Sequence, residues 1–150
     1  MKENMTSTVS ISFNLATTDA TAELGFEAWI NQRKVLDLDH VKETQKITVE
    51  LDDQDDTEHE LRLLLKNKTT EHTQVDEHGI ILADARLLIT DVAFDEIRLG
   101  HMFVEQAVYT HDFNGTGNTT VDKFYGELGC NGTVSLKFAT PMYLWLLEHM

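Results

Sequence analysis

The residues of this chain that can do chemistry fall into two polar sets. The first is the stretch from Asn67 to Asp84, where Asn67, Glu71, His72, Asp76, Glu77, His78 and Asp84 lie between two apolar runs. Carboxylates and loop carbonyls are hard oxygen donors, and six to eight of them hold calcium, so Glu71, Asp76, Glu77 and Asp84 are the candidate metal ligands. His72 and His78 invite a zinc reading. Their spacing is not the i, i+4 of a helical pair, however, and two imidazoles leave a tetrahedral site incomplete. The second set is G-F-E-A-W-I-N, in which Glu27, Trp29 and Asn31 share one side of a strand. That places an indole face beside a carboxylate and an amide, which is what recognition of a pyranose needs: an aromatic plane for the apolar side of the ring and polar groups for its hydroxyls. Tyr109 and Phe113, beside the turn-rich segment Asp112 to Asn118, are further aromatic candidates.

Other chemistry is poorly represented. Glu50, Asp52, Asp53, Asp55, Asp56, Glu58 and Glu60 crowd one turn, but a helix-loop-helix calcium loop counted from Asp52 needs Gly and Glu where Thr57 and Leu63 stand. The run reads as a solvated hairpin tip. Cys130, in Gly129-Cys130-Asn131-Gly132, reads as a turn residue rather than an activated thiol, and no serine sits in a G-x-S-x-G elbow. A non-catalytic protein is expected.

Composition narrows the partners. With 26 acidic and 12 basic residues, the formal charge of −14 repels polyanions, so no nucleic-acid partner is expected. No segment approaches the roughly 20 apolar residues of a membrane helix. Met1 to Thr8 lacks the order of a signal peptide, so synthesis in the cytoplasm without direction to secretion is expected. The single cysteine rules out an internal disulfide framework.

The elements that must position these groups are strands. Val9, Ile11, Phe13 and Leu15 alternate with polar residues, as do Leu24, Phe26, Ala28 and Ile30; Ile47, Val49 and Leu51; Leu61, Leu63 and Leu65; Ala85, Leu87 and Ile89; and Val134, Leu136 and Phe138. Trp29 then falls on the polar side of its strand. Thr140-Pro141 reads as a cap and first position of a helix, and its run Met142 to Leu147 must dock either on the sandwich or on a neighbouring subunit. The fold expected for residues 1–150 is one all-β domain: an antiparallel, jelly-roll-like β-sandwich of about eight strands with a short C-terminal helix.

From about Leu24 to Ile97 the chain resembles the small calcium-dependent carbohydrate-binding modules that bind xylan and related polysaccharides. G-F-E-A-W-I-N-Q-R-K-V, H-E-L-R-L-L-L-K-N and D-A-R-L-L-I-T-D-V-A-F-D carry the resemblance. It matches Asn67 to the Asn closing the central strand and Asp84 to the acid before the next. Where the family places Asp directly after that Asn, this chain has Lys68, so the calcium it implies needs Glu71, Asp76 or Glu77 in substitution. The segments Y-T-H-D-F-N-G-T, K-F-Y-G-E-L-G-C-N-G-T-V and F-A-T-P-M-Y-L-W-L-L-E-H-M are similar to the ending of small proteins encoded by tailed phages of marine cyanobacteria. Together these resemblances imply a phage protein that binds host polysaccharide or cell-surface glycan through Trp29, Glu27, Asn31 and Tyr109. The rival expectation is a structural virion or assembly component, joined to other virion proteins or to itself through the C-terminal segment.

Overall fold

Alternating apolar residues become the inner faces of two antiparallel sheets in the computed structural model, which describes residues 8–111 and 117–149. The first strands are β1 (Thr8–Thr17), β2 (Gly25–Ile30), β3 (Arg33–Leu38), β4 (Gln45–Asp52), β5 (Thr57–Lys66), β6 (Thr73–Val75) and β7 (Ile81–Asp84). They are followed by β8 (Leu87–Phe94), β9 (Ile97–Arg98), β10 (Val108–His111), β11 (Thr120–Lys123), β12 (Glu127–Leu128) and β13 (Gly132–Thr140). Two helices, α1 (His101–Gln106) and α2 (Met142–His149), flank them. One sheet runs β12-β8-β1-β4 with β9 on β8, the other β11-β10-β13-β5-β2-β3, and β6 pairs with β7 in a separate hairpin.

This is the sandwich with a short C-terminal helix that the alternation predicts. The strands outnumber the expected eight because β6, β7, β9, β11 and β12 are short pieces of two to four residues. The inner positions are closed to solvent: Ile11, Leu15, Phe26, Ala28, Leu63, Leu87, Phe94 and Leu128 are each 0% exposed. Fully burying one such side chain contributes about 1.5–3 kcal/mol. Phe94 and Phe138, from opposite sheets, meet with ring centroids 4.9 Å apart. A second aromatic group joins Phe103, Phe124 and Tyr109. Phe103 belongs to α1, which the sequence pattern hides because the helix has six residues and no side-chain cap.

The C-terminal helix docks on its own sandwich. Met142, Trp145 and Leu146 are buried, and the indole of Trp145 lies 5.6 Å from Phe94 and 6.2 Å from Phe138. Tyr143, Leu144 and Leu147 remain exposed on the other side. The cap differs from expectation. The Thr140-Pro141 peptide is cis, and the Met142 N–H donates to Asp53 Oδ1 at 2.8 Å. Asp53, one of the crowded acids, thus satisfies the helix start, while the Thr140 hydroxyl donates to the Thr57 carbonyl at 3.3 Å.

His59 clasps this corner. Its Nδ1 lies 3.1 Å from Asn31 Nδ2, its Nε2 lies 3.2 Å from Thr140 Oγ1, and its ring stacks on Phe138 at 5.3 Å. Because Asn31 Oδ1 accepts the Glu60 N–H at 2.9 Å, the Asn31 amide nitrogen faces the ring and donates to an unprotonated Nδ1. Burial pushes the imidazole below its ordinary value of 6.5, against the opposing pull of Asp53. The unfolded chain therefore binds this proton more readily. Stability from the clasp is complete above pH 6.5 and lost as pH falls through the lower folded value. Melting curves from about pH 8 to about pH 5 should show Tm declining in the lower half of that range, and H59Q should flatten the decline. An unchanged slope in H59Q would assign the effect to other groups.

Candidate functional site

The open face of the six-stranded sheet is built by register. On β2, Ala28 and Phe26 point into the core, so Glu27 and Trp29 stand on the outer side, both half-buried. Trp29 lies opposite Arg62 of β5 on one side and Lys34 of β3 on the other. Arg62 lies opposite Ser135 of β13, which lies opposite Val108 of β10, which lies opposite Lys123 of β11. One row, Lys123-Val108-Ser135-Arg62-Trp29-Lys34, thus crosses the whole sheet. Beside it runs a second row, Val121-Thr110-Thr133-Leu64-Glu27-Asp37. Five inter-strand spacings make this track roughly 24 Å wide.

At the Trp29 end a charge network locks the indole. Its Nε1–H donates to Glu27 Oε1 at 2.8 Å, and Lys66 Nζ bridges Glu27 Oε2 at 3.0 Å to Asp37 Oδ1. Lys34 closes the circuit on Asp37 Oδ2 at 2.7 Å. The hydrogen bonds from Lys66 and Trp29 hold the Glu27 carboxyl below its ordinary value, and those to Asp37 and Glu27 push the Lys66 ammonium up. Both groups therefore stay charged at neutral pH. The Arg62 guanidinium lies 5.2 Å and the Lys34 ammonium 5.9 Å from the indole centroid, within cation–π range. The result is a fixed aromatic plane ringed by charged donors and acceptors, suited to an uncharged ligand with one apolar face and several hydroxyls.

Asn31 and Tyr109 take other roles than those expected. Asn31 has a φ of 56° in the β2–β3 turn, and its carbonyl accepts from Arg62 at 2.8 Å. With its amide engaged by Glu60 and His59, it positions Arg62 and His59 rather than offering a free amide to a sugar. Tyr109 is a correction: it points inward, 7% exposed, because the register of β10 on β13 puts odd positions in the core. Its hydroxyl donates to the Cys130 carbonyl and accepts the Cys130 N–H at 3.0 Å. Burial pushes the phenol up to about 12. Y109F is expected to lower stability by about 1–3 kcal/mol, because it removes the buried hydroxyl that bonds to both the Cys130 carbonyl and its N–H. Denaturant melts check this, and unchanged glycan binding by Y109F is the second expectation. Phe113 lies outside the described residues.

The four expected metal ligands do not converge. Asp84 Oδ1 accepts the Lys68 ammonium at 2.5 Å and the Thr73 hydroxyl at 2.6 Å. Asp76 Oδ1 accepts the N–H groups of His78 at 2.8 Å and Ile80 at 2.9 Å, folding the β6–β7 hairpin. Glu77 is exposed beside His78, and Glu71 is exposed on the 3-10 turn Thr70–His72. Among the described residues no three acids, histidines or cysteines gather into a metal-holding group. The donor set therefore does not fit calcium: one of its acids is paired with a lysine and another with backbone amides.

Sequence reasoning missed Arg62, Lys66, Lys34 and Asp37; the alternation of Leu61, Leu63 and Leu65 places Arg62 and Lys66 on a strand, but Lys34 reads as part of the turn after Ile30 and is found in β3. Their meeting depends on which strands pair. It also missed Tyr125, 75% exposed beside a groove of about 280 Å³ that Asp91, Arg98 and Phe103 line. No motif marks that tyrosine, and only its exposure does.

No protein-family model matches the sequence, and no curated protein matches it. Among solved structures the chain is similar to vCBM60 in a selenomethionine form, described with two families of calcium-dependent carbohydrate-binding modules. The identity is 14%, with a TM-score of 0.53 over 85% of this chain and 89% of that one. It is similar also to vCBM60 in complex with galactobiose, at 15% identity and a TM-score of 0.52, over 85% of this chain and 96% of the other. The shared feature is the fold.

Proposed function

We propose that this chain is a non-catalytic glycan-binding module whose ligand lies on the outer face of the six-stranded sheet, anchored at Trp29. The observation that carries the reading is the indole: half-buried on an open face, its N–H fixed by Glu27, its ring bordered by Arg62 and Lys34. The two cross-strand rows extend that anchor into a track, which suits an extended polysaccharide better than a single monosaccharide. Glu27, Lys66, Lys34 and Arg62 supply the hydroxyl contacts. The fold shared with carbohydrate-binding modules supports the reading, and the galactobiose complex of one of them makes β-linked and α-linked galactosides sensible first probes. In the setting that the resemblance to cyanophage proteins suggests, the chain is made in the host cytoplasm and carried on the virion to touch host glycans.

A glycan array probed with calcium and with EGTA tests this. Binding to a polysaccharide class in both conditions is expected, and no binding in either would end the proposal. The second reading, a structural virion component, has one observation in its favour: Tyr143, Leu144 and Leu147 leave an apolar strip on α2 exposed. Light scattering decides it, since a defined oligomer that L144S/L147S dissolves would support assembly.

A further inference from the structure

Lys68 is the most buried charged side chain among the described ion pairs, with 1% of its side chain exposed. Its position is dictated locally. Asn67 adopts a φ of 68°, a left-handed conformation that Asn tolerates better than other non-glycine residues, and this ends β5 and turns the next residue inward. Asn131 then holds the Lys68 backbone at both polar groups: its Oδ1 accepts the Lys68 N–H at 2.9 Å and its Nδ2 donates to the Lys68 carbonyl at 2.8 Å. The side chain ends on Asp84 Oδ1 and on the Gly129 carbonyl. Through Asp84 it also reaches Thr73, whose hydroxyl shares the same carboxylate oxygen.

One ammonium thus ties together the exit of β5, the start of β6, the end of β7 and the turn before β13. Collecting a carboxylate and a carbonyl from segments 16 and 61 residues away is what a structural cation does in a loop. We infer that Lys68 is a tethered substitute for a metal ion, so that the Asn67–Asp84 loop of this protein is organised without calcium. A divalent ion cannot share the position. It would need the Asp84 oxygen that the ammonium holds, and the two positive charges would repel at contact distance. This holds whether or not the chain binds glycan, and its test reads stability and metal binding rather than sugar.

The test uses the whole chain and calcium chloride alone. Titration to about 5 mM, above the weakest calcium sites of extracellular modules, should give no saturable heat and the same Tm as in EGTA. K68M should lower Tm by about 5 °C, because it leaves the half-buried Asp84 carboxylate without its cation. K68M/D84N should recover part of that loss, as coupled partners do. Saturable calcium binding with a rise of several degrees in the wild-type Tm would overturn the inference, and so would K68M melting within about 2 °C of wild type. If K68M yields no folded protein, D84N decides from the other partner: a clear fall in Tm supports the pairing, and an unchanged Tm refutes it.

Discussion

W145A is expected to lower stability by about 3–5 kcal/mol, the largest effect of any single substitution considered for this protein. Trp145 is 6% exposed and packs against Phe94 of one sheet and Phe138 of the other, so truncating it opens a cavity where α2 closes the sandwich. Domains of this size hold together by only about 5–15 kcal/mol, so the variant would lose a large share of its margin and melt about 10 °C lower. L147A, on the exposed side of the same helix, should stay within about 0.5 kcal/mol of wild type. Urea melts of the two variants side by side check the pair. Equal losses would mean that α2 does not dock as described. For the same reason, deleting the chain from Thr140 onward is expected to unfold the protein rather than to release a folded monomer from an assembly.

The second large effect is on binding. W29A should weaken the best glycan found on an array about 30-fold, the equivalent of about 2 kcal/mol, as loss of an aromatic hot spot does. Its melting curve should move little, because the indole lies on the outer face of the sheet. R62M should weaken binding less, since it removes one hydrogen-bonding edge and the cation over the ring but leaves the aromatic plane. Calorimetry of both variants measures this. Intrinsic fluorescence offers a second readout, because Trp145 is buried and a ligand-induced change should vanish with Trp29. Full affinity in W29A, with loss in Y125A, would move the site to the groove between Tyr125 and Arg98 on the other side of the molecule.

These expectations connect through one physical feature, the packing of charges on an acidic chain. Glu27, Asp37 and Asp84 each hold a lysine ammonium. Surface pairs such as Lys34–Asp37 add little to stability on their own, but a closed circuit around an indole fixes its plane. The Lys68–Asp84 pair, whose ammonium is buried, differs in kind: its value lies in what is lost when one partner goes.

How much of this was legible beforehand follows from the range of the interactions. Period-two alternation is local, so the strand faces, the two-sheet core, the outward placement of Trp29 and Glu27, and a helix after Pro141 could all be read from neighbouring residues. Register is not local. That Arg62 and Lys34 flank Trp29, that Tyr109 turns into the core toward Cys130, and that Asp53 rather than Thr140 caps α2 depend on which distant segments lie side by side. The loop acids show the difference most clearly: their residue types suggest a calcium shell, but the turn at Asn67 and the backbone clamp of Asn131 bring Lys68 to Asp84 first. Composition could name the donors, and only three-dimensional pairing could say which cation they hold.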